Sequence, residues 1–239
     1  MEKLVYPLWQ AQPLSADQFR DELLSALAPK LLELPAVQGL RLAVADSAVA
    51  SAAGRRMESH PPLPTAVLSL WVDYAGAANT WEPLIDRHVQ RKTAYLVTEA
   101  EPLVSERVHP VAPGERVYGM CHVVFLRKPA SLDRDEWLAI WKGSHTQVAI
   151  DTQSTFGYRQ NVVVQALGDD VPPCDAIVEE HFPPEAMDSD HAFYATGGDE
   201  ALLQQRMTAM LASCARFIDF EHIDVIPMSE YVIRPVVRP

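Results

Sequence analysis

Residues 133–149 read Asp133-Arg-Asp-Glu-Trp137-Leu-Ala-Ile-Trp141-Lys-Gly-Ser-His145-Thr-Gln-Val-Ala149. Trp137, Trp141, His145 and Ala149 recur at every fourth position. At about 100° per residue such positions keep to one stripe of a helix. Asp133 can cap the first turn, and Glu136 three residues on makes an acidic variant of the capping box. The spacing therefore predicts a helix over 133–151. Its stripe has the make-up of a core-facing surface, yet it carries an imidazole, a group that titrates near neutrality.

Outward from this helix the second half alternates strand and helix. A strand at 118–127 precedes it. Gly157 opens another at 158–165, and a turn-rich loop at 167–175 leads to a third at 176–182. A helix at 199–217 and a strand at 228–233 complete the order β-α-β-β-α-β. The first half reads the same way. Its first strand is 3–9, with Pro7 marking an edge or a bulge. A helix capped by Ser15 and Gln18 carries the stripe Phe19, Leu23 and Leu27, and Pro29 marks a kink or break. Strands follow at 40–45 (opened by Gly39) and 66–72, separated by a loop at 46–64. A helical stretch at 77–92 and short strands at 95–97 and 102–108 close the unit.

The halves share a register. Ser15 and Asp133, Phe19 and Trp137, Gly39 and Gly157, and Arg41 and Arg159 all stand 118 positions apart. Ala66 and Ala176 stand 110 apart, because the first half has the longer loop. One offset held without a gap points to a tandem duplication joined at 111–116. Each unit reads as ferredoxin-like, with both helices on one face of a four-stranded antiparallel sheet. Two such sheets packed face to face bury their bare sides. The predicted fold is α+β: two tandem ferredoxin-like (βαββαβ) units, 1–112 and 116–239, forming an intramolecular dimeric α/β-barrel.

The segments Val123-Val-Phe-Leu-Arg-Lys and Leu132-Asp-Arg-Asp-Glu-Trp137, with Trp141, His145 and the pair Gly157-Tyr158, resemble the EthD-like family of the dimeric α/β-barrel superfamily. That family's first helix carries an aromatic residue, a Trp four residues on and a His four after that. Cys214-Ala-Arg-Phe217-Ile-Asp219 resembles its late acidic-aromatic segment, without the Asp often found before it. The resemblance spans 118–233. The first half matches in architecture only, with Leu23 and Leu27 where Trp141 and His145 stand. The resemblance implies a soluble protein acting on small organic molecules, loosely of oxidoreductase type, with one site per chain in the second half. The superfamily holds cofactor-free monooxygenases, lactone isomerases, polyketide cyclases and haem enzymes, and fold does not choose among them.

The 239 residues carry a formal net charge of −12 and are 48% hydrophobic. Such a surface repels phosphate backbones and anionic lipids, so neither nucleic acid nor membrane is expected as a partner. The opening MEKLVYPLW lacks a long apolar stretch, and no run approaches a membrane span, so the expected location is cytoplasmic. Cys121, Cys174 and Cys214 show neither a disulfide framework nor CxxC spacing and read as small buried hydrophobes.

His145 is the leading site candidate. In a cleft between helix and sheet, a neutral imidazole can exchange a proton with a bound enol, phenol or lactone; the plain alternative is a core histidine held by a neighbour. Burial beside indoles should lower its pKa. Trp137 and Trp141 supply flat apolar walls or ordinary core packing. Gly143 costs about 1 kcal/mol relative to Ala in a helix, and either admits the sheet or leaves room for ligand. His122, Tyr158, Glu179 and His181 are candidate polar contacts. The alternation of a strand puts Glu179 and His181 on one face and Glu180 on the other, with solvent exposure near a strand end as the plain alternative.

His181, Glu179, His191, Glu221 and His222 are metal-ligand types, but HExxH and CxxC spacings are missing, so no metal is expected. No GxGxxG, GxxxxGK[ST] or GxSxG occurs, which leaves nucleotide cofactors and a hydrolase triad unsupported and the expected cofactor list empty. Asp86-Arg87-His88 with Arg91-Lys92 reads as a solvated helix end, and 234–239 as a tail over the surface. The expected function is a cofactor-independent enzyme of small-molecule catabolism, a monooxygenase, isomerase or cyclase using His145 as general acid/base on a small hydrophobic oxygenated ligand. The alternative is a non-catalytic small-molecule-binding accessory protein of a degradative oxygenase system. The internal pseudo-dimer allows a monomer, and apolar helix faces allow a homodimer.

Overall fold

The computed structural model describes residues 1–11, 13–168 and 170–236. Strand β1 (Glu2–Gln10) leads to α1 (Ala16–Glu22), which runs through one π-helical turn (Leu23–Leu27) into α2 (Ala28–Leu32). Next come β2 (Val37–Val44), a 3-10 helix (Ser47–Arg55) and β3 (Ala66–Val72). A 3-10 segment (Ala75–Thr80), the short α3 (Glu82–Ile85), β4 (Val89–Lys92) and β5 (Ala94–Leu103) follow. The second half holds β6 (Met120–Leu126), α4 (Arg134–Ile140), a π turn (Trp141–His145), α5 (Thr146–Thr152), β7 (Gly157–Leu167) and β8 (Ala176–Phe182). The chain continues through α6 (Asp190–Phe193) and the long α7 (Glu200–Cys214) to β9 (Ile223–Arg234). Of the tail expected at 234–239, Arg234 ends β9 and 237–239 lie outside the described residues.

Both amphipathic helices start from complete capping boxes. Ser15 Oγ accepts from the Gln18 amide at 3.2 Å, and Asp133 Oδ1 from the Glu136 amide at 2.8 Å. Both then contain a π turn, closed by Ala28 N–H donating to Leu23 O and by Thr146 N–H donating to Trp141 O. The turns solve a geometric problem. In an α-helix every four-residue step overshoots a full turn by about 40°, so four positions at that spacing drift round the helix. A turn closed from i to i+5 holds more residues and takes up the overshoot. Trp137, Trp141, His145 and Ala149 all stay buried as a result, as do Phe19, Leu23, Leu27 and Leu31.

Hydrogen bonds close eight strands into an antiparallel barrel, ordered β3-β2-β9-β6-β8-β7-β5-β1, with β1 returning to β3. Within the halves the orders are β5-β1-β3-β2 and β7-β8-β6-β9, and the pairs β2–β9 and β5–β7 join them. Val5, Ala43 and Val67 meet Cys121, Ile177 and Ile226 inside the barrel. Outside it, α1–α2 covers a leucine-rich cluster, and α4–α5 with α7 covers a cluster built on Trp137 and Trp141. The architecture is thus an α+β barrel with helices outside. No helix among the described residues is long and apolar enough to cross a membrane.

Some expectations fail locally. The helix expected at 77–92 is broken into the end of the 3-10 segment and the short α3; Pro83 fits the first turn of α3, but Leu8, Trp9 and Gln10 of β1 draw Val89–Lys92 into β4 by pairing. Hence 86–92 is a turn and a strand rather than a helix end. The strand expected at 95–97 and the first two residues of that expected at 102–108 belong to one strand, β5, which ends at Leu103; the rest of the second is not a strand, and Ser105–Arg107 form a 3-10 turn. Pro7 lies inside a strand with neighbours on both sides, where β1 passes from β5 to β4 and the Thr93 amide donates to Pro7 O at 3.1 Å. The loop at 46–64 crosses to the other half. Its Val49 and Ala52 pack on Phe182, Ala186, Met187 and Phe193, and Met57 bridges to Val225 of β9.

Candidate active site

The cleft between α4–α5 and the outer face of the second half's strands contains a cavity of about 290 Å³. Strand register builds its floor. His122 on β6 stands opposite Glu180 on β8, and Tyr158 on β7 stands opposite Glu180 from the other side. Directly opposed residues share a face with Cβ atoms about 5 Å apart, so the three form one row across three strands. Val124 and Val178, two residues along on the same face, line the floor beyond them. Trp141 and His145 come down from the helix, and Phe217 completes the aromatic wall. Arg55 and Met57 of the first half help to roof it.

The acid–base character of the lining follows from burial. His145 Nδ1 lies 2.9 Å from Ser213 Oγ, and its ring packs 4.4 Å from that of Phe217. Burial, helped by the charge of Arg216, lowers its pKa to about 4, so the imidazole is neutral at pH 7. Glu180 behaves oppositely. Burial alone raises its carboxyl to about 7, with no cation or donor among the described residues to oppose the shift. It faces the cavity, with protein around it on the other sides. His122 is enclosed by Phe182 and Phe193, its Nε2 has no partner, and burial with the charge of Arg55 lowers it to about 3. Tyr158 Oη accepts from Trp141 Nε1–H at 2.9 Å, and burial pushes its own ionisation up. Burial likewise raises the Cys214 thiol to about 12, so it stays protonated.

His145, Trp141, Tyr158 and His122 therefore share one cavity. Trp137 does not line it; fully buried behind Trp141, it donates to Phe217 O at 2.9 Å. Gly143 lies on the solvent side of the helix, where an added Cβ would meet nothing within 4 Å, so it neither admits the sheet nor makes room for ligand. Glu179 and His181 point to the opposite face of β8, into the barrel, and both are buried. There Arg159 binds Glu230 at 2.8 Å and Glu179 at 2.9 Å, Lys3 reaches Glu179 at 3.2 Å, and His181 Nε2 lies 2.8 Å from Glu230. Burial alone would raise the Glu179 carboxyl, but Arg159 and Lys3 outweigh it and hold it low. This buried ion cluster ties strands of both halves together. No group of three or more His, Cys, Asp or Glu side chains among the described residues is placed to hold a metal ion.

The first half supplies an internal comparison. The positions matching His122, Tyr158, Trp141 and His145 at the 118-residue offset are Leu4, Leu40, Leu23 and Leu27, and the position matching Glu180 at the 110-residue offset is Leu70. The register matches as well: Leu4 and Leu40 stand opposite Leu70 on its two sides. All five leucines are buried in one cluster.

Sequence reasoning passed over Glu180, Ser213 and Arg55 as site residues. Glu180 is placed by the parity of β8 together with the register of His122 and Tyr158, which no motif encodes. Arg55 lies in the extra length of the first half's loop, the one visible sign that this loop has a task of its own.

No protein-family model matches the sequence, and neither does any curated protein. Among solved structures, an anthrone oxidase-like protein aligns with a TM-score of 0.48 at 10% identity, covering 99% of this chain and 94% of the other. A proposed monooxygenase from Lactobacillus acidophilus NCFM aligns at 0.49 and 10% identity, covering 100% and 99%. A variant of the chlorite dismutase from Candidatus Nitrospira defluvii aligns at 0.48 and 8% identity, covering 97% and 91%. Likenesses this distant say nothing of this chain's chemistry.

Proposed function

We propose that the chain is an EthD-like dimeric α/β-barrel protein, built from ferredoxin-like units 1–112 and 116–239 by tandem duplication, and that its second half moves a proton at carbon next to a carbonyl. The substrate is a small aromatic or alicyclic carbonyl compound. Matching capping boxes, π turns and strand orders at one sequence offset support the duplication. The observation that carries the function is the replacement of a leucine row by His122, Glu180 and Tyr158. The first half demonstrates that leucines fill such a cleft, so packing alone does not call for three polar groups there. Tyr158 is paired with the Trp141 indole, but His122 Nε2 and the Glu180 carboxyl have no protein partner among the described residues; buried polar groups left so are costly, and their presence points to a ligand.

In this reading Glu180 is the base, because a carboxyl near pH 7 is both ionised and basic enough to act at neutrality. It takes the proton from the carbon, and the electron pair of the broken C–H bond moves to the carbonyl oxygen, giving an enolate. The neutral His145 donates Nε2–H to that oxygen, in the tautomer where Ser213 Oγ–H donates to Nδ1. Return of the proton from Glu180 completes exchange or isomerisation. Trp141 and Phe217 hold the apolar body and exclude water. The scheme requires no cofactor, since both reacting groups belong to the chain.

The test is deuterium uptake in heavy water, followed by NMR for small ketones such as 2-tetralone and phenylacetone. Wild type should accelerate uptake with a rate rising through one ionisation near pH 7. Glu180→Gln should abolish that rise, and His145→Ala should slow exchange about a hundredfold to a thousandfold, as expected for one lost donor to a developing oxyanion. Wild-type rates equal to buffer, or a Glu180→Gln variant as fast as wild type, would refute the reading. Binding without exchange would favour the accessory-protein alternative.

A further inference from the structure

Arg55 is the cation that the first half places at the cavity, and the proton-transfer scheme gives it no task. The geometry points to Arg55 as a second binding element of the same site, taking a carboxylate borne on the substrate's carbonyl carbon. This inference rests on the reading of the site given above and narrows its substrate class to aromatic keto acids.

Three contacts hold the guanidinium in place. Nε donates to Ala186 O, Nη2 reaches Asp190 Oδ1 at 3.1 Å, and the group lies 4.3 Å over the Phe193 ring. Among the described residues Nη1 has no protein acceptor. Asp190 is mostly exposed, so water screens its attraction and it offsets the charge of Arg55 only in part. A fixed cation with an open donor on an apolar cavity is an anion seat, and carboxylates are its usual occupants.

The position orients the ligand. Arg55 lies over the Phe193 ring, and that ring packs 5.7 Å from the ring of His122. His122 and Glu180 are cross-strand neighbours, so Arg55 sits on the His122 side, away from the base. The ligand's enolisable carbon lies at Glu180, its ring against Trp141, and its carboxylate at Arg55. The chain carries a net charge of −12, so an anionic ligand gains nothing from the general field and depends on a local cation.

The experiment compares phenylpyruvate with its neutral relative phenylacetone, using tryptophan fluorescence for binding and deuterium uptake for turnover. Wild type should bind phenylpyruvate about tenfold or more tighter, the worth of one charge-assisted hydrogen bond. Arg55→Met, which keeps a long side chain over Phe193, should bring the ratio of the two affinities to about one, and Arg55→Lys should restore part of it. A merely structural Arg55 would weaken both probes alike and leave the ratio unchanged, which overturns the inference. Equal affinity of wild type for the two probes also overturns it, while Glu180-dependent exchange of phenylacetone would leave the proton-transfer reading standing. Failure of both probes to bind wild type overturns both.

Discussion

Glu180→Gln should stabilise the protein, and only above mildly acidic pH. Burial raises the carboxyl from 4.5 to about 7, so the native state holds this proton more tightly than the unfolded chain does. The contribution of Glu180 to native stability therefore falls as pH rises from about 4.5 and levels off above about 7. At 1.36 kcal/mol per pH unit, the full loss is about 3 kcal/mol. Water entering the cavity would ease the ionised form, which makes that figure an upper bound. Glutamine is close in shape to the protonated acid and cannot ionise. The two proteins should match near pH 4.5 and diverge steadily to pH 7. For a chain of this length about 3 kcal/mol corresponds to a melting-point gain of roughly 6–12 °C. Calorimetry at half-unit steps from pH 4.5 to 8, with urea midpoints at both ends, gives the curve. A difference that stays constant with pH, or a wild type the more stable at pH 8, would show that Glu180 ionises in the ordinary range. The deuterium-exchange rate of wild type should rise over the same interval in which the contribution of Glu180 to stability falls, because one ionisation governs both.

Three further substitutions test the supports of the site. Tyr158→Phe removes the acceptor of the Trp141 indole N–H and should cost about 1–3 kcal/mol in urea unfolding, with the helix still formed; an unchanged midpoint would mean that the indole finds another acceptor. Arg159→Met removes the guanidinium shared by Glu179 and Glu230, leaving Lys3 to the first and His181 and Arg41 to the second, and should cost up to about 3–5 kcal/mol at pH 7. Both carboxyls are held below the ordinary range in the wild type, so the deficit should shrink as pH falls through that range, and a deficit independent of pH would contradict the assignment. Gly119 has φ +75°, and a Cβ there would lie 1.9 Å from Phe182 O, so Gly119→Ala should cost at least about 2 kcal/mol. A melting point equal to wild type would refute that placement.

The strand at 66–72 was legible to the residue because it is a near-continuous apolar run, a pattern made by burial on both faces, and 176–182 was legible from its apolar ends, Ala176-Ile-Val and Phe182, although Glu179, Glu180 and His181 interrupt it. The helix over 133–151 was legible from its capping box and its stripe. Its π turn was not, since the extra residue in the turn answers to the sheet beneath and leaves no local mark. The stretch 77–92 misled because its spacing suits a helix while β1 offers an open edge, and pairing won. Within the site, periodicity alone sufficed to bring Trp141 and His145 to the sheet. It also separated Glu179 from Glu180, but only the register with His122 and Tyr158 decides which of them meets the helix. Arg55 reaches the cavity from the other half, where no pattern in one sequence could place it.

The contrast between the clefts yields a last prediction. If the polar row exists for a ligand, the leucines of the first half define what stability alone selects, and restoring them should help folding. His122→Leu, Glu180→Leu and His145→Leu together remove an unpaired carboxyl and two imidazoles and add apolar volume beside an existing cavity of about 290 Å³. At pH 8 the variant should gain up to the roughly 3 kcal/mol assigned to ionised Glu180. It should gain at acid pH for a separate reason. The native pKa values of His122 and His145 lie below 6.5, so wild type loses stability as pH falls from 6.5 toward 4, and leucines do not titrate. Neither probe should then bind. A variant less stable than wild type at both ends of the pH range would mean that these side chains support the second half's packing, and the argument from the leucine row would fail with it.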